Sequence, residues 1–463
     1  QEQAPEKVPA RRKSGRMRGW KASILACVTC ILVTALVTSM IFVGKFGGSS
    51  NYKLALKFAQ VKQVVDKDYI GDADDTAISD ASSSAIISAI GDKWSYYMTA
   101  EEYKAYQMYS NNEYAGIGVT IQLDDKTKGF RITAVTSDSP AAKAGLKQGD
   151  IITAIDGEDV TGKTLSDVQS TIRAKLNKTL KLTIQDAAGK SQTVTLDCTV
   201  IYTDPVTYKL LDNGVGYVQI RNFETGGGSR AVQAVDKLLD LGAKSLVFDL
   251  RDNGGGVLDD AISCIDLIAP EGTLAFAEDK NGTQTLLGTS TSESQIGLPV
   301  VCLVNGSTAS AAELFASSLR TLNGARLVGT TTQGKGTIQS SPQRLSDGSA
   351  VVVTVAKLVC GDGSCFDGTG LTVDVERALS AEEATNFYDY TPQTDPQVQR
   401  AVSAAQQLSG TTTLAGASSA AAADSAASSA AADDTAPAET AEGEPAEGET
   451  AASEPETAAS AAE

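Results

Sequence analysis

Val304-Asn305-Gly306-Ser307-Thr308-Ala309-Ser310-Ala311-Ala312-Glu313 carries the chain from a strand into a helix. The run before it, Leu298 to Val304, is short and apolar and reads as a buried strand. The run after it, Ala311 to Leu322, repeats its apolar positions at three- and four-residue steps, as a helix does. Small residues pack the corner. A serine placed there sits where a helix starts, beside backbone N–H groups that have no helical acceptor. Alone, Ser-Ala-Ser at such a corner is a helix cap.

The rest of the chain narrows that reading. It contains no histidine, which excludes Ser-His-Asp, Cys-His and histidine-ligated zinc chemistry within it. A serine that attacks here must give its proton to another base. Gly334-Lys335-Gly336-Thr337-Ile338-Gln339 follows the apolar Leu327-Val328-Gly329, an odd place for a surface charge. Alone, a lysine between glycines belongs to a hairpin turn.

Together the two segments, with Lys335 following Ser310 by 25 positions (335 − 310), resemble the C-terminal-processing peptidases, or tail-specific proteases. The resemblance runs from about Tyr52 to Leu408. It implies that Ser310 is the nucleophile, Lys335 the general base and Gln339 the residue that orients the lysine. It also implies a protease core related to Clp protease and crotonase.

The chemistry constrains those residues. A lysine has a reference pKa of ~10.4, so about one in 2,500 is uncharged at neutral pH. A general base works best near the ambient pH, and burial lowers a lysine toward it. Glycines on both sides let the backbone close around Lys335 without a neighbouring side chain to hydrate it. Gln339 is neutral, so it can orient the amine without holding the charged form as strongly as a carboxylate would. The oxyanion of a tetrahedral intermediate needs converging donors. The N–H of Ala311 is one candidate. Leu246-Val247-Phe248-Asp249-Leu250-Arg251-Asp252-Asn253-Gly254-Gly255-Gly256, a buried strand ending in a glycine-rich turn, offers the other at Gly255 or Gly256. The resembling family has a proline where this chain has Gly254. Glu313 reads as a first-turn residue favoured by the helix dipole.

From Tyr114 to Val200 the pattern changes to short β-runs with turns, and Ser139-Pro140-Ala141-Ala142 through Gly149-Asp150-Ile151-Ile152 resembles a PDZ domain. Such a domain adds an extended peptide as a strand and captures its terminal carboxylate with backbone amides. The resemblance assigns that loop to Gly116, Ile117, Gly118 and Val119; apolar Ile117 and Val119 suggest apolar substrate tails. From composition alone the loop is a first strand with two glycines.

At 463 residues the chain has room for two or three domains. It opens at Gln1 without an initiator methionine, as a trimmed or partial sequence would. The expected organisation is a basic leader (1–22), a transmembrane anchor (23–44), a helical N-terminal region (50–113), a PDZ domain (114–200), a protease core (201–408) and an acidic disordered tail (409–463). Ile24 to Val43 is uncharged and, at ~1.5 Å per residue, long enough for a ~30 Å hydrocarbon core. A cleaved signal peptide and a buried core helix are the alternatives; no small-x-small cleavage site follows, so an uncleaved anchor is preferred. Its basic flank places the leader in the cytoplasm and the remainder outside. Gly91 to Glu102 reads as an aromatic core cluster and a helix start, without chemistry. Strand-like runs alternating with helical ones over 201–408 argue for a layered α/β core.

The net charge is −18, and the tail from 411 holds eleven acidic residues and no Lys or Arg. With no basic stripe, nucleic-acid binding is not expected, nor is a metal or other cofactor. Terminal helices are natural surfaces for a homodimer. Cys360 and Cys365 could close a small disulfide loop in an oxidising exterior. The expected activity is that of a membrane-anchored, extracytoplasmic serine endopeptidase acting on protein or peptide tails. The rival is a non-catalytic PDZ tether on a protease-like core.

Overall fold

In the computed structural model, which describes residues 16–45, 47–186, 188–291, 296–387 and 390–418, Val300–Val304 is an inner strand of a six-stranded sheet. The order across that sheet is Val375–Glu376, Arg326–Gly329, Val300–Val304, Ser245–Asp249, Val215–Ile220 and Val206–Leu210. All neighbours are parallel except the last pair. Ser245–Asp249 and Val300–Val304 are buried at every position, the signature of strands covered on both faces.

The two faces have different covers. Leu246, Phe248, Cys302, Val304 and Leu327 pack with the helices Gly227–Asp240, Leu258–Ile268 and Ala311–Asn323. Val247, Val301, Leu303 and Val328, which alternate with them, pack against Val398, Ala401 and Ala405 of the closing helix Pro396–Ser418. Phe315 centres the first layer, with ring centroids 5.2 Å from Phe248 and 5.4 Å from Phe223. The α/β core is therefore a three-layer arrangement. The closing helix runs on past Leu408.

Two smaller sheets each take a strand from the chain just after Lys335. Gln284–Ser290, Gly272–Glu278, Thr354–Cys360 and Thr337–Gln339 form one. In the other, Tyr96–Met98 pairs antiparallel with Ala350–Val352, which also pairs with Gln343–Arg344.

The β-rich domain is built from Glu113–Gly116, Val119–Leu123, Phe130–Val135, Ile151–Ile155, Lys178–Gln185 and Ser191–Tyr202. Leu165–Arg173 is its longer helix. Val168 and Ile172 from that helix join Phe130, Ile132, Ile152, Leu180, Leu182 and Ile184 in a separate core.

The chain divides into two units at Ala85/Ile86, so the β-rich domain and the α/β core belong to one unit. Among the described residues of the N-terminal unit the first element is helix Arg16–Lys45, of which Ser23–Lys45 is long and apolar enough to cross a membrane. Helix Ser49–Asp68 follows, with Leu54, Leu56, Phe58, Val61 and Val64 exposed. Expectations for the leader before Arg16 and for the tail after Ser418 lie outside the described residues. Cys360 and Cys365 are free thiols, so the small disulfide loop is not formed. Cys360 is buried and instead receives the Ser317 hydroxyl at 3.5 Å.

Candidate active site

Ser310 occupies the corner between strand Val300–Val304 and helix Ala311–Asn323 at φ 55° and ψ −118°. An L-residue adopts that left-handed conformation at a cost on the order of 1–3 kcal/mol. The surroundings enforce it. The Thr308 hydroxyl donates to the Leu250 carbonyl at 2.7 Å, and the Ala309 N–H donates to the Asn253 carbonyl at 2.9 Å. Asn305 closes on Asp252 in both directions, at 3.1 and 2.9 Å. The serine turn and the glycine-rich turn are thereby one stitched unit, two adjacent strand ends bound by side chains that only these turns supply.

Gly255 lies directly on the serine. A β-carbon there would come within 2.9–3.0 Å of the Ala309 carbonyl oxygen, the Ala311 nitrogen and the Ser310 β-carbon. Its own N–H donates to Asn253 Oδ1 at 2.9 Å. Gly256, at φ 141°, packs instead on the backbone of Phe223 and Glu224. Of the two glycines proposed for the oxyanion, Gly255 is the one against Ser310 and Ala311.

Glu313 joins this unit to the lysine. Its carboxylate is fully buried and accepts four hydrogen bonds. Oε2 receives the backbone N–H of Ser310 and of Lys335, each at 2.9 Å. Oε1 receives the Thr332 hydroxyl at 2.5 Å and the Gly334 N–H at 2.8 Å. The helix dipole explains an acid in the first turn; it does not explain these donors. Sequence reasoning missed this function of Glu313, since three of its four partners belong to another loop.

Glycines 334 and 336 are needed for close approach. A β-carbon on Gly334 would fall 2.6 Å from the Gly370 nitrogen, and one on Gly336 would fall 2.7 Å from the Asp367 nitrogen. The Gly336 N–H donates to Asp367 Oδ1 at 3.0 Å.

Burial lowers the Lys335 amine below the ordinary lysine value; the facing Glu224, Asp92 and Glu313 oppose that shift without cancelling it. Burial likewise pushes Glu224 up, and Lys335 draws it partly back. The amine stands over the indole of Trp94, 4.8 Å from the ring centroid. Trp94 is the second residue missed: its aromatic segment looked like core packing. The Gln339 amide nitrogen donates to the hydroxyls of Thr337 at 2.9 Å and Thr354 at 3.3 Å, and its oxygen is the end suited to an amine N–H.

In the β-rich domain, Ile117 is buried and Gly118 has φ +84°. The Gly118 carbonyl accepts the Thr136 N–H at 2.9 Å, and the Ile117 carbonyl accepts the Ala141 N–H at 2.9 Å. Gly116 ends one strand and Val119 begins the next, so the four residues form a tight link between adjacent elements.

The pattern of Peptidase family S41 matches residues 214–377, and that of the PDZ domain matches residues 131–186. A carboxy-terminal processing protease, CtpA of Bacillus subtilis (strain 168), is 30% identical over 359 residues, spanning 75% of this chain and 76% of that protein. This chain belongs to the C-terminal processing peptidases. A probable CtpA-like serine protease of Staphylococcus haemolyticus is 29% identical, spanning 77% of this chain and 72% of its own. Among solved structures, a putative S41 protease from Bacteroides fragilis shares the fold, with a TM-score of 0.51 at 19% identity, covering 74% of this chain and 91% of that one. This processing peptidase is accordingly a serine-type enzyme with a PDZ domain on an S41 core.

Proposed function

We propose that this processing peptidase cleaves peptide bonds with a Ser310–Lys335 dyad and is held at the membrane by its N-terminal helix, with the catalytic part outside the cytoplasm. The observation that carries the dyad is the Glu313 carboxylate, which receives the backbone N–H of both residues. Ser310 Oγ attacks the scissile carbonyl as the Lys335 amine takes its proton, and the carbonyl π electrons move to oxygen. The Ala311 N–H and a donor of the Gly255–Gly256 turn meet that oxyanion. The ammonium then protonates the leaving amine. Water, deprotonated by the same amine, releases the acyl group from Ser310. Gln339 orients the lysine through its amide oxygen.

Gly116 to Val119 capture the carboxylate of an apolar substrate tail, which extends along Val119–Leu123 as an added strand. The apolar side chains exposed along Ser49–Asp68 support self-association. The uncharged run from Ser23 to Gly44, apolar and exposed at every position except the half-buried Val43, supports the anchor; removal of the first 45 residues during export would leave a smaller mature protein by mass spectrometry and refute it.

The dyad is tested on the full chain in detergent with an unstructured peptide ending in a free apolar C-terminus. Ser310→Ala and Lys335→Ala should each lower turnover by a factor on the order of 10³ or more while peptide binding persists. Turnover retained by Lys335→Ala refutes the lysine as base. Binding without cleavage by the unaltered chain favours the tether.

A further inference from the structure

The segment Asp92–Met98 is fastened to the 350–354 stretch by contacts that do not involve the side chain of Trp94. The Thr354 hydroxyl donates to Asp92 Oδ2 at 2.6 Å, and the Thr354 N–H donates to Ser95 Oγ at 3.0 Å. Ser95 Oγ donates to the same Asp92 oxygen at 2.5 Å. Tyr96–Met98 then adds itself as a strand to Ala350–Val352. Thr354 Oγ1 also accepts from the Gln339 amide at 3.3 Å. One threonine therefore joins the segment to the residue expected to orient the lysine. With the backbone fixed in this way, the half-buried Trp94 lays its ring against the Lys335 amine.

We propose that Trp94 is a positioning residue for the cleavage reaction: its indole face holds the Lys335 amine and shields it from water, so this contact sets when the amine can accept a proton from Ser310. The proposal rests on Lys335 being the base. The indole exerts two opposing effects. Its apolar bulk excludes water and disfavours the ammonium. Its π-face attracts the ammonium and favours it. The same amine faces Glu224, Asp92 and Glu313, each of which favours its charged form. Asp367 approaches the neighbouring Gly336 N–H, and Lys93 lies over the same ring at 4.6 Å from its centroid. Against that fixed set of charges, changes confined to the indole separate its two effects.

The amine must be neutral to act, so kcat/KM falls as the pH drops through its titration, giving an acid limb that reports the free enzyme. Trp94→Leu keeps an apolar cover and removes the π-face. The acid limb should move to lower pH, and activity at a fixed pH on that limb should rise roughly two- to five-fold. Trp94→Ala admits water and should move the limb to higher pH. Trp94→Phe, with a weaker π-face, should lie between the unaltered protein and the leucine variant.

The second readout is the 13C NMR titration of reductively methylated Lys335 in full-length, detergent-solubilised Ser310→Ala, assigned by loss of its signal in Ser310→Ala/Lys335→Ala. Its midpoint should move in the same direction as the acid limb in each Trp94 variant. Acid limbs and titrations that overlay those of unaltered Trp94 in all three variants overturn the proposal. Cleavage retained by Lys335→Ala overturns the dyad, whereas an inactive Lys335→Ala with unshifted Trp94 variants overturns only the role of Trp94.

Discussion

The Glu313 carboxylate receives the backbone N–H of Lys335 at 2.9 Å from within a fully buried site. The same Oε2 receives the N–H of Ser310, so one atom fixes the spacing of two loops that carry the proposed nucleophile and base. Both oxygens face N–H donors, so Glu313→Gln must turn an NH2 group toward one of them. An unmet buried donor costs about 1–3 kcal/mol. If that cost falls on the assembled geometry, kcat should drop roughly five- to 150-fold, with KM for the substrate tail little changed. A glutamine variant with full kcat would show that the carboxylate does not hold the two loops together.

Arg251 is tied into a second buried network. Its guanidinium donates to Asp249 at 2.6–3.2 Å and, through Nη1, to Asp395 and Gln397, each at 2.9 Å. Burial alone would lower the arginine, but Asp249 and Asp395 outweigh it and hold the group above its usual range. Asp395 also caps the closing helix through the N–H groups of Gln397 and Val398. Arg251→Ala would leave two buried carboxylates uncompensated, at a cost of about 3–5 kcal/mol. Denaturant unfolding should show that loss, and Arg251→Lys should recover only part of it, because an ammonium cannot reproduce the forked contacts. Unchanged stability in the alanine variant would mean that the ion network is not what pins the closing helix to the sheet.

Much of the core was legible because burial writes itself into composition. Val215–Ile220 and Val300–Val304 are apolar runs flanked by turn residues, and the helices at Leu258 and Ala311 show helical spacing. The hairpin of Gly272–Glu278 and Gln284–Ser290 was not legible, since its polar, glycine-containing strands lack a clean alternation. Ser310 and Lys335 stood out by residue type and local setting. Glu313 and Trp94 did not, because their decisive partners are distant in the chain. A local reading yields a dipole-favoured acid and an aromatic cluster; only the folded contacts show four donors on one and an amine on the other.

The loop proposed to capture the carboxylate, Gly116 to Val119, offers a test confined to substrate capture. Gly118 sits at φ +84°, and a β-carbon there would lie 2.1 Å from the β-carbon of Ser139. Gly118→Ala must therefore displace the loop or the Ser139–Ala142 turn beneath it. KM should rise for a peptide with a free C-terminus and stay constant for its amidated counterpart, which has no carboxylate to lose. Initial rates across both peptides would reveal this split, and an equal effect on the two would remove the carboxylate from the interaction.

Glu224 offers the corresponding test of charge at the lysine. It is buried, and its charge favours the protonated form of Lys335. Replacing it with an isosteric amide removes that charge. The amine should then lose its proton at lower pH, and the acid limb of kcat/KM should move in the same direction. With Lys335 as the proposed base the neutral amine is the active form, so Glu224→Gln should be more active than the unaltered enzyme on that limb and equal to it on the plateau. A limb displaced to higher pH would contradict the sign of this charge interaction. An unmoved limb would mean that Glu224 is already protonated in the working range, the direction in which burial pushes it.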